Sequence, residues 1–261
     1  QEWLIAKDYK KANLPEFIKP INRELETVAF LVIINDSIKY EEYWHGYSTD
    51  RASNSFSMSK SYISTLVGVA IKDNIINIDD KVCYFLPEYC GETEKNLTIK
   101  NLLTMSSGLN WNESYYNPFG KIAEAYYGNN LKKLVMNLKV IEPSGKVFKY
   151  YSCNTQLLSF ILESVTGKSI NEYASEKLWI PMGAKHPVLW NTDKKEGDEK
   201  AFCCINSNAR DFARIGKLYM NYGNWKGQQI VDTSYVKEAT SVADLLDKDG
   251  NKNVNYGYQF W

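Results

Sequence analysis

The 261 residues are 44% hydrophobic and 24% charged, and 31 basic side chains balance 31 acidic ones for a formal net charge of zero. That balance supplies no broad basic face, so nucleic acid is not an expected partner, and apolar runs such as Thr65 to Ile71 are far too short to span a membrane. With two histidines and no Cys-x-x-Cys pair, the chain has little from which to build a zinc centre, and no metal or cofactor is expected.

In chain order, Glu26 to Tyr43 reads as a β-hairpin: the run from Val28 to Ile34 is apolar and β-branched, Asn35-Asp36-Ser37 is a turn, and Ile38 to Tyr43 leads out. A helix is predicted from about Ser57 to Asp73 on the apolar stripe of Leu66, Val67, Val69, Ala70 and Ile71. Residues 78 to 197 read as mainly helical, broken by Pro and Gly loops. Within them Thr155 to Thr166 is a strong helix stopped by Gly167, and Ser169-Ile-Asn-Glu172 is a capping box opening the next. Asn208 to Tyr222 is an amphipathic helix closed by Gly223, and Asn253 to Trp261 has the beginnings of a strand. This order predicts an α+β protein. The five cysteines are irregularly spaced and odd in number, which predicts buried free thiols while leaving open a disulfide between some pair. Gln1 opens on no signal-peptide pattern.

Ser57-Met-Ser-Lys60 is the segment with chemical promise. Residues three apart share a helix face, so Lys60 stands one turn from the Ser57 hydroxyl. Unpaired amides at a helix start can hold an oxyanion, and an apolar wall makes a charged lysine costly, favouring the free base. The same spacing at Ser234 to Lys237 lies in a polar segment with Asp232 and Thr233 and reads as an ordinary helix start. The residues alone leave open a capping serine with a solvated lysine at Ser57 as well. His45 and His186 have no Gly-x-Ser-x-Gly elbow to serve and read as loop residues. Tyrosine is the remaining proton carrier, but composition cannot choose among 19 of them.

Arg51 to Gly68, centred on Phe56-Ser-Met-Ser-Lys-Ser61, resembles the active-site helix of the serine β-lactamase-related family, which includes class C β-lactamases, D-Ala-D-Ala carboxypeptidases, esterases and 6-aminohexanoate-oligomer hydrolases. Four further blocks resemble the family in its order: Ile76 to Asp80 with Tyr84 to Pro87, Leu97 to Leu109, Leu178 to Gly183, and Asn208 to Gly216. The resemblance implies a β-lactamase/transpeptidase-like α+β fold, an antiparallel sheet flanked by helices plus an all-helical lobe. It implies one catalytic unit over 1–261, with sublobes at about 1–55 with 224–261 and at 56–223. The last sheet strands, and the family's Lys/His-x-Gly motif, are expected beyond residue 261, since Lys195-Glu-Gly197 and Lys248-Asp-Gly250 match the letters but read as turns.

The family's Tyr-x-Asn motif corresponds to Tyr150 and Ser152; a register on Tyr151 and Asn154 breaks the spacing. By resemblance, Ser57 is the acylated nucleophile, Lys60 its base and Tyr150 the proton carrier to the leaving group. Ser152 is expected to bond Lys60 or the substrate amide. The Ser57 amide is one expected oxyanion donor, and Trp111 and Tyr115, in the aromatic loop 110–130, are expected to contact substrate. The implied activity is serine hydrolysis of a small-molecule amide, ester or lactam through an acyl-enzyme, nearest in its Tyr-x-Ser form to the 6-aminohexanoate hydrolase and esterase branches. A penicillin-binding carboxypeptidase, a β-lactamase and a non-catalytic penicillin-binding sensor stay open. The family also implies the periplasm or surface of a bacterium, with the cytoplasm open.

Overall fold

The computed structural model describes residues 2–11 and 13–261. Near the N-terminus β1 (Leu4–Ile5) and α1 (Ile18–Glu24) precede the hairpin of β2 (Ala29–Ile34) and β3 (Ser37–Tyr43). Asn35 and Asp36 hold φ of +48° and +63°, the left-handed pair of a tight hairpin turn. β3 is central, with β2 antiparallel on one side, β1 parallel on the other, and a bulge between Val32 and Ile33.

β4 (Ser53–Asn54) leads through a 3₁₀ turn at Phe56–Met58 into α2 (Ser59–Lys72). Short helices follow, α3 (Ile99–Leu103), α4 (Lys121–Tyr127) and α5 (Leu131–Met136), then the long α6 (Ser152–Thr166). Gly167 at φ +66° ends α6 in a left-handed cap that a side chain would strain. The Ser169–Glu172 capping box opens α7 (Ile170–Ala174), which runs on into a π-helical turn at Ser175–Trp179. β5 (Leu189–Trp190) and β6 (Ile205–Ser207) pair with β4 in a second small sheet, ordered β4-β6-β5. α8 (Ala209–Met220), the two-residue strands β7 (Asn224–Trp225) and β8 (Gln228–Gln229), and α9 (Thr233–Ala239) complete the elements.

The core forms where α2 packs against α6. Tyr62, Ile63, Leu66 and Val67 of α2 meet a layer that includes Leu157, Leu158 and Ile161 of α6, all fully buried. Burying each such large aliphatic side chain contributes about 1.5–3 kcal/mol. α8, grouped by sequence with the helical lobe, lies on the first sheet: Arg210 clamps the buried Glu41 of β3 through two nitrogens, and Trp3 donates to the Arg210 carbonyl at 2.7 Å. Asp211 and Arg214 form a buried pair at 2.9 Å on the same helix.

Two expectations are corrected. Residues 253–261 form no strand. Asn253 folds the chain back through bonds from its side-chain amide to the Ala243 and Tyr256 carbonyls, and Gln259 sits at φ +60°. Gly257 then passes so near α9 that a Cβ would lie 2.3 Å from the Ala239 carbonyl. Four of the five cysteines are bonded, as Cys83–Cys90 and as the adjacent pair Cys203–Cys204, leaving Cys153 as the buried thiol. Spacing alone carries no signal for bridges this local.

Gly68 is where α2 approaches α9, and a Cβ there would stand 2.6 Å from the Tyr235 ring, itself held by a 2.7 Å bond from its hydroxyl to the Ser64 carbonyl. Gly68→Ala is therefore expected to lower stability by about 1–3 kcal/mol through overpacking, despite alanine's better helix propensity. Urea denaturation tests this, and an unchanged or raised midpoint would refute the close packing.

Candidate active site

The site begins with a strained entry. Ser55 donates to the Ile205 carbonyl at 2.7 Å, extending the β4–β6 pairing, and Phe56 then takes φ +44°, in the left-handed region unusual for an aromatic residue. This sharp turn leaves Ser57 half-buried at the head of α2. One turn on, Lys60 is 2% exposed, and its Nζ donates to Ser57 Oγ at 3.2 Å and to the Phe202 carbonyl at 2.7 Å. Ser59 donates to the neighbouring Ala201 carbonyl at 3.0 Å. The 201–204 turn is thus stitched to the start of α2, and the Cys203–Cys204 bridge and the Trp190 indole bond to the Cys203 carbonyl hold it from behind.

Burial depresses Lys60 to about 8, although the negative charge of Glu113 works the other way. The ammonium lies 5.0 Å from the centre of the Tyr150 ring and 5.9 Å from that of Phe202. Burial pushes the Tyr150 phenol up to about 12, opposed by a hydrogen bond with Ser57. Tyr150 stacks on Trp261 at 5.6 Å and meets Tyr256 edge-on at 6.0 Å. Ser57 and Lys60, one helical turn apart, are thus joined by Tyr150 from far along the chain in a small chamber walled by aromatic rings. Tyr151, the N-cap of α6, instead packs at the edge of the hydrophobic core.

The other three predicted residues gather on Glu113, which sequence reasoning missed. Its Oε2 accepts from the Trp111 indole at 2.6 Å and from the Ser152 amide at 2.8 Å; its Oε1 accepts from the Tyr115 hydroxyl at 2.7 Å and from Ser152 Oγ. Ser152 does not bond Lys60. As the first residue of α6 its amide has no intrahelical acceptor, and Glu113 supplies one while drawing the hydroxyl the same way. Ser152 and Trp111 are buried with their polar groups turned to Glu113, whereas Tyr115 is 58% exposed. The discoverable signal was a single carboxylate between two aromatic donors in Trp111-Asn-Glu-Ser-Tyr115. The Phe202 carbonyl, a backbone group, has no sequence signal at all.

Beyond the chamber a line of rings leads outward. Phe202 meets Tyr126 edge-on at 5.1 Å, Tyr126 neighbours Tyr115 at 6.4 Å and Tyr127 at 6.2 Å, and Tyr127 is exposed. His45 and His186 stand elsewhere: His45 is an exposed turn residue at φ +54°, and the His186 ring faces Asp50 at 3.3 Å. Among the described residues no helix is long and apolar enough to cross a membrane.

Residues 14–261 match the Beta-lactamase family. The chain is 26% identical over 283 aligned positions to the 6-aminohexanoate-dimer hydrolase of Paenarthrobacter ureafaciens, an alignment covering all of this chain and 70% of that protein. It is 27% identical over 124 positions to a D-aminopeptidase of Cereibacter sphaeroides, covering 46% of this chain and 23% of the relative. A solved structure from Bacillus anthracis, provisionally named a 6-aminohexanoate-dimer hydrolase, superposes with a TM-score of 0.84 at 23% identity, over 99% of this chain and 73% of that one, and shows the β-lactamase/transpeptidase-like α+β fold. With the family match running over nearly the whole length, the chain belongs to the Beta-lactamase family, as a β-lactamase-related serine hydrolase of amide or ester bonds.

Proposed function

We propose that Ser57 is the nucleophile of an acyl-enzyme hydrolase of linear amides or esters, with Lys60 as its base and Tyr150 as the proton carrier. The observation that carries this reading is Lys60: a buried amine, 3.2 Å from the Ser57 hydroxyl, held near 8 by desolvation. In its neutral form it keeps the bond to the Phe202 carbonyl and turns its lone pair to Ser57. Ser57 Oγ attacks the substrate carbonyl carbon as its proton passes to Lys60. The Ser57 amide, in the first turn before α2, supports the developing oxyanion. Tyr150, whose phenol remains protonated at neutral pH, delivers a proton to the departing nitrogen or oxygen and is reprotonated from Lys60. Water then attacks the ester, and the same groups work in reverse to return the proton to Ser57.

Linear amides are favoured over lactams by the match to a 6-aminohexanoate-dimer hydrolase along the whole chain. The exposed rings of Tyr115 and Tyr127 beside the chamber offer apolar surface to an extended acyl or amine chain. The two disulfides support a location outside the reducing cytoplasm, in the periplasm or at the cell surface.

Mass spectrometry after incubation with a fluorophosphonate is expected to find one adduct, on Ser57, and no persistent adduct with a penicillin. A stable penicilloyl-Ser57 would transfer the protein to the penicillin-binding peptidases, and the absence of any Ser57 adduct would end the nucleophile assignment. Ser57→Ala is expected to cut turnover of a labelled amide by roughly 10⁴-fold or more. Tyr150→Phe should cost roughly 10²–10⁴-fold, far more than Tyr151→Phe; the reverse order would move the role to Tyr151.

The pH profile follows from the sign of the lysine shift. Acylation needs Lys60 as free base, so its rate should climb about tenfold per pH unit on the acid side and level off above pH about 8. A plateau already reached at pH 6 would exclude this lysine as the base.

A further inference from the structure

Glu113 has a role that the nucleophile, base and proton carrier do not account for. Four donors from three residues converge on its two oxygens: the Trp111 indole, the Tyr115 hydroxyl, and the amide and hydroxyl of Ser152. Trp111 and Ser152 are buried and Glu113 is half-buried, so this carboxylate is a partly enclosed knot of hydrogen bonds rather than a surface ion pair. One side of the knot is the first turn of α6, which begins two residues after Tyr150. The other side is the loop that carries the exposed Tyr115, whose ring neighbours Tyr126.

We infer that Glu113 is a positioning residue of the Ser57 centre, fixing the Tyr150-bearing turn and the Tyr115 ring in one arrangement around the nucleophile. The inference rests on the acyl-enzyme reading above and deepens it. A carboxylate that accepts four bonds leaves little rotational freedom to any of its donors. Holding the Ser152 amide sets where α6 starts, and hence where the backbone of Tyr150 enters the chamber. Holding the Tyr115 hydroxyl turns that phenol's polar end inward and leaves its ring as the surface a substrate meets.

The same knot also has an electrical effect. Glu113 makes no hydrogen bond to Lys60, yet its charge acts on it through a poorly screened interior and raises its proton affinity against desolvation. The groups that bear on Lys60 are Glu113, the Cys153 thiol and the Tyr150 and Phe202 rings. The titratable neighbours that feel Glu113 in turn are Tyr115, Tyr126, Tyr150, Tyr151, Cys153 and Tyr256. Removing the charge lowers the pH at which Lys60 becomes free base, and removing the acceptors loosens Tyr150.

Glu113→Gln and Glu113→Asp separate the two effects. The readout is the rate of fluorophosphonate labelling at Ser57 as a function of pH, in variants checked by circular dichroism and thermal melting. Glu113→Gln is expected to move the midpoint to lower pH and to reduce the plateau rate about 10- to 100-fold, the scale of a small misplacement. Glu113→Asp keeps the charge on a shorter arm; it should hold the midpoint and still reduce the plateau. A folded Glu113→Gln protein with the wild-type midpoint and plateau overturns the inference. If that variant does not fold, Glu113→Asp decides alone, and a wild-type plateau there overturns it equally. Failure of the wild-type protein to label at Ser57 instead brings down the underlying serine-nucleophile reading, so the two failures are distinct.

Discussion

The burial of one amine organises this molecule. Lys60 lies within the protein with a backbone carbonyl and a serine hydroxyl as its hydrogen-bond partners. A carboxylate in the place of the Phe202 carbonyl would hold the lysine charged; a wall with no acceptor would leave its N–H groups unsatisfied. The carbonyl is a middle course, satisfying the amine in either protonation state without strongly favouring the ion. That requirement explains why the 201–204 turn is held so firmly. The β4–β6 pairing, the Ser59 bond to Ala201, the Trp190 bond to Cys203 and the bridge between adjacent cysteines all fix the direction of a single C=O.

The surroundings extend the same logic. Tyr150 is flanked by Trp261 and Tyr256, and Lys60 by Phe202 and Tyr150, so rings rather than charges surround the amine. Where such a chamber needs a negative charge, Glu113 provides it at one remove, engaged by other donors. A charge committed elsewhere perturbs the amine without pairing with it, which is compatible with the role as base proposed for Lys60.

Much of this was legible in sequence because local rules governed it. The Ser57–Lys60 spacing at the start of an apolar helix, the Asn35-Asp36 turn, the Ser169–Glu172 box and the Gly167 stop are all settled within a few residues, and each stands where the pattern puts it. What escaped was non-local or carried by the backbone. Glu113 belongs to the site only because α6 begins beside it, 39 residues on. The Phe202 carbonyl has no side-chain signature, and residues 253–261, rich in aromatics, looked like a strand until Asn253 and Gly257 turned them onto α9. Ser152, expected from a family motif to bond Lys60 or the substrate amide, bonds Glu113, a partner the motif does not name.

The span of these contacts along the chain bears on how the protein matures. Lys60 and Phe202 are 142 residues apart, and Ser61 reaches the Gln259 carbonyl across 198. Closing such loops is slow compared with forming α2 or α6, since chain entropy must be surrendered before the contact returns anything. An intermediate holding both helices but not these closures would keep Lys60 open to solvent, with an ordinary high proton affinity and no activated serine. If Ser57 and Lys60 act as proposed, reactivity would then depend on closures made across most of the chain, and a partly folded chain lacking them would be chemically silent toward the amides and esters around it.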